Sequence, residues 1–231
     1  MTKPSASESS SKRRKARKNS NGQSLADRAY ERLEELIVTL KLQPGTILTE
    51  ADLNRRIGIG RTPIREALQR LEAFRLVTPL PRHGIMISEV NVADHMTLLE
   101  TRRVVDRLIA SRAARRATEE QREALRHRAA EMLLTSTSGD LETFMRLDHE
   151  CDKVLEEAAR NPSAVQAAVP LHIQSRRFWY AFHQKADFAR AARLHHELLL
   201  TVVQGNEPEA EVASDKLIDY LEEFTRSTFE P

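Results

Sequence analysis

Two arginines four residues apart, Arg61 and Arg65, are the side chains whose type and spacing best suit a recognition chemistry. Four residues make about one helical turn, so on a helix both guanidinium groups lie on one side. Arginine carries a planar fork of N–H donors that binds a guanine edge or a phosphate bidentately. The pair therefore indicates either a helix that reads nucleic acid or an ordinary amphipathic helix with two solvated arginines, and the surrounding residues must decide.

The residues next to these arginines predict the helix that carries them. Thr62 can cap a helix start, and Pro63 suits the first helical turn, where a missing N–H costs nothing. Apolar residues then recur at helical spacing and predict a face that packs on a core: Ile64, Ala67, Leu68 and Leu71.

The flanking sequence predicts two helices before this one and a two-stranded hairpin after it. Pro44-Gly45 forces a turn after the first helix, Thr49 opens the second as a near capping box, and Gly58 ends it. Three helices followed by a two-stranded wing form a winged helix-turn-helix. The expected elements are helices over 25–41, 49–57 and 60–72, and strands over 76–80 and 85–88 with a hairpin tip at 81–84.

Residues 25–90 resemble the DNA-binding domain of the GntR family of bacterial transcription regulators. Turn residues, core residues and arginines fall at the family's spacings in three motifs: Leu42-x-Pro44-Gly45-x-x-Leu48-x-Glu50-x-x-Leu53, then Ile57-Gly58-Ile59-x-Arg61-Thr62-Pro63-Ile64-Arg65-Glu66-Ala67-Leu68-x-x-Leu71, and Pro81-Arg82-x-Gly84.

The resemblance assigns DNA contacts to individual residues. Those it implies are Arg61, Thr62 and Arg65 on the recognition helix, with His83 and Gly84 on the wing approaching the minor groove. One departure is Ala51, because family members often carry a DNA-contacting arginine at this place. That contact is therefore missing or is supplied by Arg55 or Arg56.

Length and composition limit the class of protein. A chain of 231 residues suits one large domain or two modest ones. No apolar run approaches the ~18–20 residues that span a membrane, and no apolar segment follows the N-terminal charges as in a signal peptide. The single cysteine, Cys151, excludes an internal disulfide framework and fits a reducing cytosol. We therefore expect a cytoplasmic protein in which this cysteine packs rather than reacts.

Charge is distributed unevenly along the chain. Residues 1–22 carry a formal charge of +6, residues 23–90 carry +1, and residues 91–231 carry −5. The first segment is Ser-rich, offers almost nothing apolar to bury, and is predicted to be a disordered basic tail. It is either a solubilising tail or an arm along DNA phosphates. A DNA-binding domain is expected at 23–90 and a helical domain at 91–231.

Residues 91–231 predict an all-α unit with no convincing strand. Periodicity and caps indicate about six helices, over 91–116, 118–134, 141–159, 161–180, 187–204 and 208–229. An array of this size can bury a core and fold as a unit. The predicted fold class is therefore mainly α, with an N-terminal winged helix-turn-helix and a C-terminal all-α helical bundle.

This half resembles the ligand-sensing FCD domain of the fatty-acid-responsive, FadR-like subgroup of GntR regulators. The residues that carry the resemblance are Arg102-Arg103-x-x-Asp106, Asp148, Ala158-Ala159-Arg160-Asn161, and His195 ten residues before Gly205-Asn206. The resemblance implies an effector-binding domain that also forms a homodimer.

The resemblance further implies a metal site, which this chain keeps only in part. In the family an Asp and a His four apart join two later histidines, a ligand set that suits zinc, nickel or manganese. Asp152 stands where the first of those histidines is expected, and Leu217 stands in place of the last. The remaining ligands, Asp148, Asp152 and His195, would hold one divalent ion (Mn, Ni or Zn), with His196, His172 or Asp215 as further candidates. Alternatively, the two acids are solvated or paired with arginine.

Several polar side chains are candidates for binding the effector. An arginine that faces the interior of a helical bundle binds an organic acid by forked hydrogen bonds, whereas most arginines lie on the surface. The candidates are Arg102, Arg176 and Tyr180, followed by Arg177 and His183. The run Phe178-Trp179-Tyr180 favours core or dimer packing.

These patterns predict a sequence-specific transcriptional regulator rather than an enzyme. A homodimer should bind a palindromic double-stranded operator, because two-fold protein symmetry is mirrored in the site. We expect a repressor that a small carboxylate releases, with no membrane association. Two alternatives remain: a non-specific architectural DNA-binding protein that acts through its basic tail, and an enzyme built on Asp148, Asp152 and His195, against which the adjacent DNA-reading helix argues.

Overall fold

The computed structural model describes residues 23–229, so the expectations for the basic tail at 1–22 lie outside the described residues. The chain divides between Glu89 and Val90 into two units. The predicted fold class is confirmed: an N-terminal helix-turn-helix with a small sheet, and a C-terminal helical unit. No helix in the described range is long and apolar enough to cross a lipid bilayer.

Residues 23–89 of the N-terminal unit form three helices and a three-stranded antiparallel sheet. Its elements are α1 (Leu25–Val38), β1 (Ile47–Leu48), α2 (Glu50–Ile57), α3 (Arg61–Ala73), β2 (Val77–Leu80) and β3 (Gly84–Ile87). The sheet order is β1-β3-β2, with Ile47 opposite Met86 and Val77 opposite Ile87. β1 was not predicted, because a strand of two residues is too short to show a periodicity.

Side-chain caps fix where the first two helices begin. Ser24 caps α1 and Thr49 caps α2, each in a reciprocal capping box with an Asp three residues later. The prediction for α3 is wrong in one detail. Its N-cap is Gly60 in an extended conformation, so Thr62 lies inside the first turn and makes no cap.

The C-terminal unit confirms the expectation of six α-helices. They are α4 (Val92–Arg116), α5 (Glu119–Ser138), α6 (Leu141–Ala159), α7 (Pro162–Phe182), α8 (Phe188–Gln204) and α9 (Glu207–Ser227), with one 3-10 turn after α7. α4 packs along α9 and α5 packs along α8. Thr118 and Asn161 cap α5 and α7, at the positions where the sequence predicts these helices to begin.

The core of this unit is rich in aromatic contacts. Phe178 and Trp179 are buried, which confirms the packing role predicted for this run, and Phe144 and Phe224 pack against Trp179. Burying each such ring stabilises the fold by about 1.5–3 kcal/mol. Cys151 is also buried, and burial raises the pKa of its thiol, as suits a packing residue.

His95, near the start of α4, is a buried histidine that the sequence pattern did not predict. One ring nitrogen of His95 lies 2.9 Å from the Thr225 hydroxyl and the other lies 3.0 Å from the Ser175 hydroxyl. The ring stacks on Phe178 with centroids 3.9 Å apart. Burial, helped by the charge of Arg102, lowers the pKa of His95 to about 3, so the folded protein holds a neutral imidazole.

This depressed pKa predicts a pH dependence of stability. Between pH 6.5 and about 3 the unfolded chain binds a proton at His95 and the folded chain does not. The free energy of unfolding therefore falls as pH drops through this window. Replacing His95 with Gln, which does not titrate, is expected to make that fall shallower in urea unfolding at a series of pH values.

The exposed His127, on α5, provides the control for this measurement. His127→Gln should keep the wild-type slope of stability against pH. Equal slopes for the wild type and both variants would contradict the assignment of His95 as a buried neutral histidine.

Candidate functional site

The residues predicted to read DNA lie together at the start of α3. Arg61, Thr62 and Arg65 are exposed there, while Ile64 and Leu68 bury the opposite face of the helix against the core. No side chain caps this helix start. Its free N–H groups and the positive end of the helix dipole therefore favour an anion such as a DNA phosphate.

Arg65 is held in place by an acid of the preceding helix. Its Nε donates to both carboxylate oxygens of Glu50, at 2.8 and 2.9 Å. The Arg65 side chain is 66% exposed, and an exposed ion pair contributes little stability. The contact instead restricts where the guanidinium lies and leaves its terminal Nη groups available. Glu50 belongs to the sequence motif, but its contact with Arg65 across fifteen residues could not be read from the sequence.

The other predicted DNA contacts differ in how they are held. Arg55 is exposed and pairs with Asp52 one turn earlier, and Arg56 reaches the carbonyl of Lys41. His83 is exposed at the tip between β2 and β3. Gly84 has a positive φ, and an added Cβ would lie 2.5 Å from the Leu48 carbonyl oxygen. The close approach of β1 is therefore a structural reason for this glycine, beside its predicted place in the minor groove.

The C-terminal unit encloses a small charged cavity between α4, α6, α7, α8 and α9. Its volume is about 40 Å³, enough for a few water molecules. The charged and imidazole side chains that line it are Arg102, Asp106, Asp148, Asp152, His172 and His195, and apolar side chains with Cys151 and Ser214 complete the wall. The four predicted residues Arg102, Asp148, Asp152 and His195 therefore come together from three helices.

The other two leading effector candidates, Arg176 and Tyr180, occupy different places. Arg176 lines a smaller adjoining lobe of about 20 Å³. Tyr180 lines neither space, and its hydroxyl donates to the Glu142 carboxylate at 3.3 Å.

Asp148 and His195 form a direct pair across the cavity. Nε2 of His195 lies 3.1 Å from Oδ1 of Asp148, and its Nδ1 donates to the Ala191 carbonyl at 2.8 Å. Burial opposes charge on His195, but the contact with Asp148 raises the pKa of this imidazole. The backbone contact fixes the ring, so Nε2 is directed at the carboxylate.

His172 lies among three acids. Its Nε2 is 2.8 Å from Asp106, and its Nδ1 is 3.4 Å from Asp152 and 3.3 Å from Glu156. Burial disfavours a charged imidazole, but Asp152 and Asp106 outweigh it and raise the pKa of His172 to about 10. At neutral pH this residue is therefore a cation, whose Nε2 donates to Asp106 while its Nδ1 lies near two acids without a hydrogen bond.

Two guanidinium groups complete the cluster. Arg102 donates to Asp106 through Nε at 2.9 Å and approaches it through Nη2 at 2.8 Å, and Arg176 lies 3.6 Å from Asp152. Burial would raise the pKa of Asp106, but Arg102 and His172 lower it to about 2. Burial and the neighbouring Asp148 instead raise the pKa of Asp152 above the usual range for a carboxyl.

These residues do not fit the metal centre that the family resemblance implies. Within residues 23–229 no three His, Cys, Asp or Glu side chains are arranged to hold one ion. Asp152 contacts His172 and Arg176, and Leu217 presents an apolar wall where the family has a histidine. Only Asp148 and His195 keep the predicted arrangement.

Both halves of the chain match models of known protein families. Residues 25–87 match the model of bacterial regulatory proteins of the gntR family, and residues 97–220, more than half of the chain, match the FCD domain. The chain belongs to the GntR family and carries an FCD domain. The GntR relatives that it matches are transcriptional regulators, not enzymes.

Individual relatives support this assignment. An HTH-type transcriptional regulator from an unstable DNA locus of Streptomyces ambofaciens is 29% identical, covering 84% of this chain and 81% of its own length. The HTH-type transcriptional repressor RspR of Escherichia coli is 27% identical, covering 56% of this chain and 57% of its own length.

Solved structures share the fold. McbR/YncC of E. coli aligns with a TM-score of 0.78 at 16% identity, covering 90% of this chain and 100% of that one. A GntR regulator from Rhodococcus sp. RHA1 aligns with a TM-score of 0.62 at 22% identity, covering 88% of this chain and 97% of that one.

Because the ion pairs of the cavity are buried, removing one of its acids should destabilise the protein more than removing an exposed acid. Asp106→Asn leaves Arg102 and His172 short of one negative charge in a buried place. It is therefore expected to lower the free energy of unfolding by about 3–5 kcal/mol in a denaturant titration. Asp219→Asn removes an exposed partner of Arg103 and should cost less than about 1 kcal/mol. Similar losses in both variants would contradict the buried pairing.

Proposed function

We propose that this GntR regulator is a homodimeric repressor of the cytoplasm that binds a palindromic operator and releases it when a small organic acid enters the FCD cavity. The observation that carries the DNA-binding part is the exposed group Arg61, Thr62 and Arg65 at the uncapped start of α3, with Arg65 oriented by Glu50. An oriented guanidinium supports reading of bases rather than phosphate attraction alone. The repressor role draws further support from RspR, which is named a repressor.

A homodimer is supported by exposed apolar side chains on two neighbouring helices. Val104 and Leu108 on α4 are 70% and 37% exposed, and Val212 on α9 is 54% exposed. The ion pair between Arg107 and Glu211 joins these parts of α4 and α9. Exposed apolar groups beside a polar rim are typical of a protein interface, and a two-fold axis would bury the same patch of both copies.

A small acid as effector is supported by the cations of the cavity. Arg102 lines both parts of the enclosed space, and Arg176 lines the smaller one. A guanidinium group binds a carboxylate through two parallel hydrogen bonds. The limited volume favours a small acid over a long-chain one.

The proposed base reading can be tested on an operator selected from random duplexes. Arg65→Ala is expected to weaken binding by roughly 1–3 kcal/mol and to reduce discrimination at one position of each half-site. Arg70→Ala is the control, since Arg70 lies farther along α3 and pairs with Asp27. A dimer should bind the palindrome far more tightly than one half-site, measured by fluorescence anisotropy.

Two results would contradict this part of the proposal. One is wild-type affinity and selectivity in Arg65→Ala. The other is loss of all preference for the operator over a scrambled duplex at raised salt, which would favour the architectural alternative, because phosphate contacts alone weaken with salt while base contacts keep a preference.

The proposed effector class can be tested with pairs of small carboxylic acids and their amides. An acid that binds should raise the melting temperature and weaken operator binding, whereas its amide should do neither, because only the carboxylate matches a guanidinium. Arg102→Gln should lose the response, and Arg146→Gln, an exposed arginine of α6 that pairs with Glu150, should keep it. Equal responses to acid and amide would rule out the carboxylate anchor.

A further inference from the structure

We infer that the FCD cavity of this chain works without a divalent metal, because Arg102 and Arg176, together with the imidazole of His172, pair with the acids that a metal would otherwise bridge. The inference concerns how the cavity balances its own charges and does not depend on which effector binds there. It rests on three features of the described residues: the pairing of the acids, the loss of ligand positions, and the place of Arg102.

The first feature is that every acid at the cavity already has a cationic or imidazole partner. Asp106 contacts Arg102 and His172, and Asp152 contacts His172 and Arg176. Glu156 lies 3.3 Å from His172, and Asp148 lies 3.1 Å from His195. Carboxylates that share a buried space repel one another unless cations lie between them. Here protein side chains meet that need.

The second feature is that too few ligands remain for an ion. Leu217 is buried and apolar where a nitrogen donor is required. His172 does not replace it, because its Nε2 contacts Asp106 at 2.8 Å and its Nδ1 has Asp152 and Glu156 within 3.4 Å, so each ring nitrogen already has a carboxylate at ion-pair distance. That leaves Asp148 and His195, two ligands where a zinc-type site needs three or four from the protein.

The third feature is the position of Arg102. Its guanidinium acts electrostatically on Asp148 and on Asp152, in addition to its bonds with Asp106. Arg102 lines the same small cavity as both acids, so its positive charge reduces the negative charge that an ion would otherwise have to neutralise. Arg102 belongs to the family pattern, so it supplies part of the positive charge here, and the absence of an ion follows from the two lost ligand positions.

The direct test measures metal in the purified full-length protein. Elemental analysis should find far less than one equivalent of zinc, nickel or manganese per chain. Adding each ion, or removing it with EDTA, should leave the melting temperature unchanged. One bound equivalent whose removal lowers the melting temperature, and which Asp148→Ala abolishes, would overturn the inference.

A second test restores the missing ligands. The double variant Asp152→His with Leu217→His recreates the family's set with Asp148 and His195. It should gain about one equivalent of nickel or zinc, and its melting temperature should rise with the ion and fall with EDTA. Adding Asp148→Ala to this variant is the matched control and should remove the gain. A folded double variant, judged by circular dichroism, that binds no metal would show that these two positions are not the reason for the loss.

Discussion

Buried charge must be neutralised where it lies, and this constraint determines the structure of the FCD cavity. Asp106, Asp148 and Asp152 enter one small enclosed space from two helices. Isolated carboxylates would not stay ionised there, because burial removes the water that stabilises them. Arg102 and His172, from two helices, supply the compensating charge at hydrogen-bond distances. The ion pairs therefore determine where these side chains lie. A ligand that enters the cavity must replace some of the contacts between these acids and their partners.

The charges of the DNA-reading surface are exposed to water, unlike those of the cavity. Arg61 and Arg65 are exposed, so water screens their charges and they add little to folding. They remain free for a partner that carries its own negative charge. The fold determines where these side chains point. The buried face of α3 places them on the opposite, exposed side of the helix, and Glu50 limits the positions that Arg65 can take. Exposure keeps these residues available, and a single acid keeps one of them oriented.

The two sites show that a substitution on the surface has different structural consequences from one in the cavity. At the helix-turn-helix, Ala51 in place of a DNA-contacting arginine leaves an exposed alanine, and the fold is undisturbed. In the cavity, a histidine replaced by Asp152 changes the charge of a buried place, so neighbouring groups must compensate. His172 and Arg176 do so here. A departure from the family's pattern in this cavity therefore needs charged neighbours that balance it, whereas the departure on the surface does not.

The sequence by itself determined the winged helix-turn-helix, the six helices of the second unit and some of their caps, because periodicity, capping residues and turn glycines act over a few neighbouring positions. It also identified Arg102, Asp148, Asp152 and His195 as candidates for one site. It did not reveal β1, the Gly60 cap, the buried His95 or the bond from Arg65 to Glu50. Only the tertiary structure decided that His172 lies between Asp106 and Asp152 and that Tyr180 lies outside the cavity. These contacts join residues that are tens of positions apart in the sequence. A local sequence pattern does not show which helices pack together or which charged side chains pair.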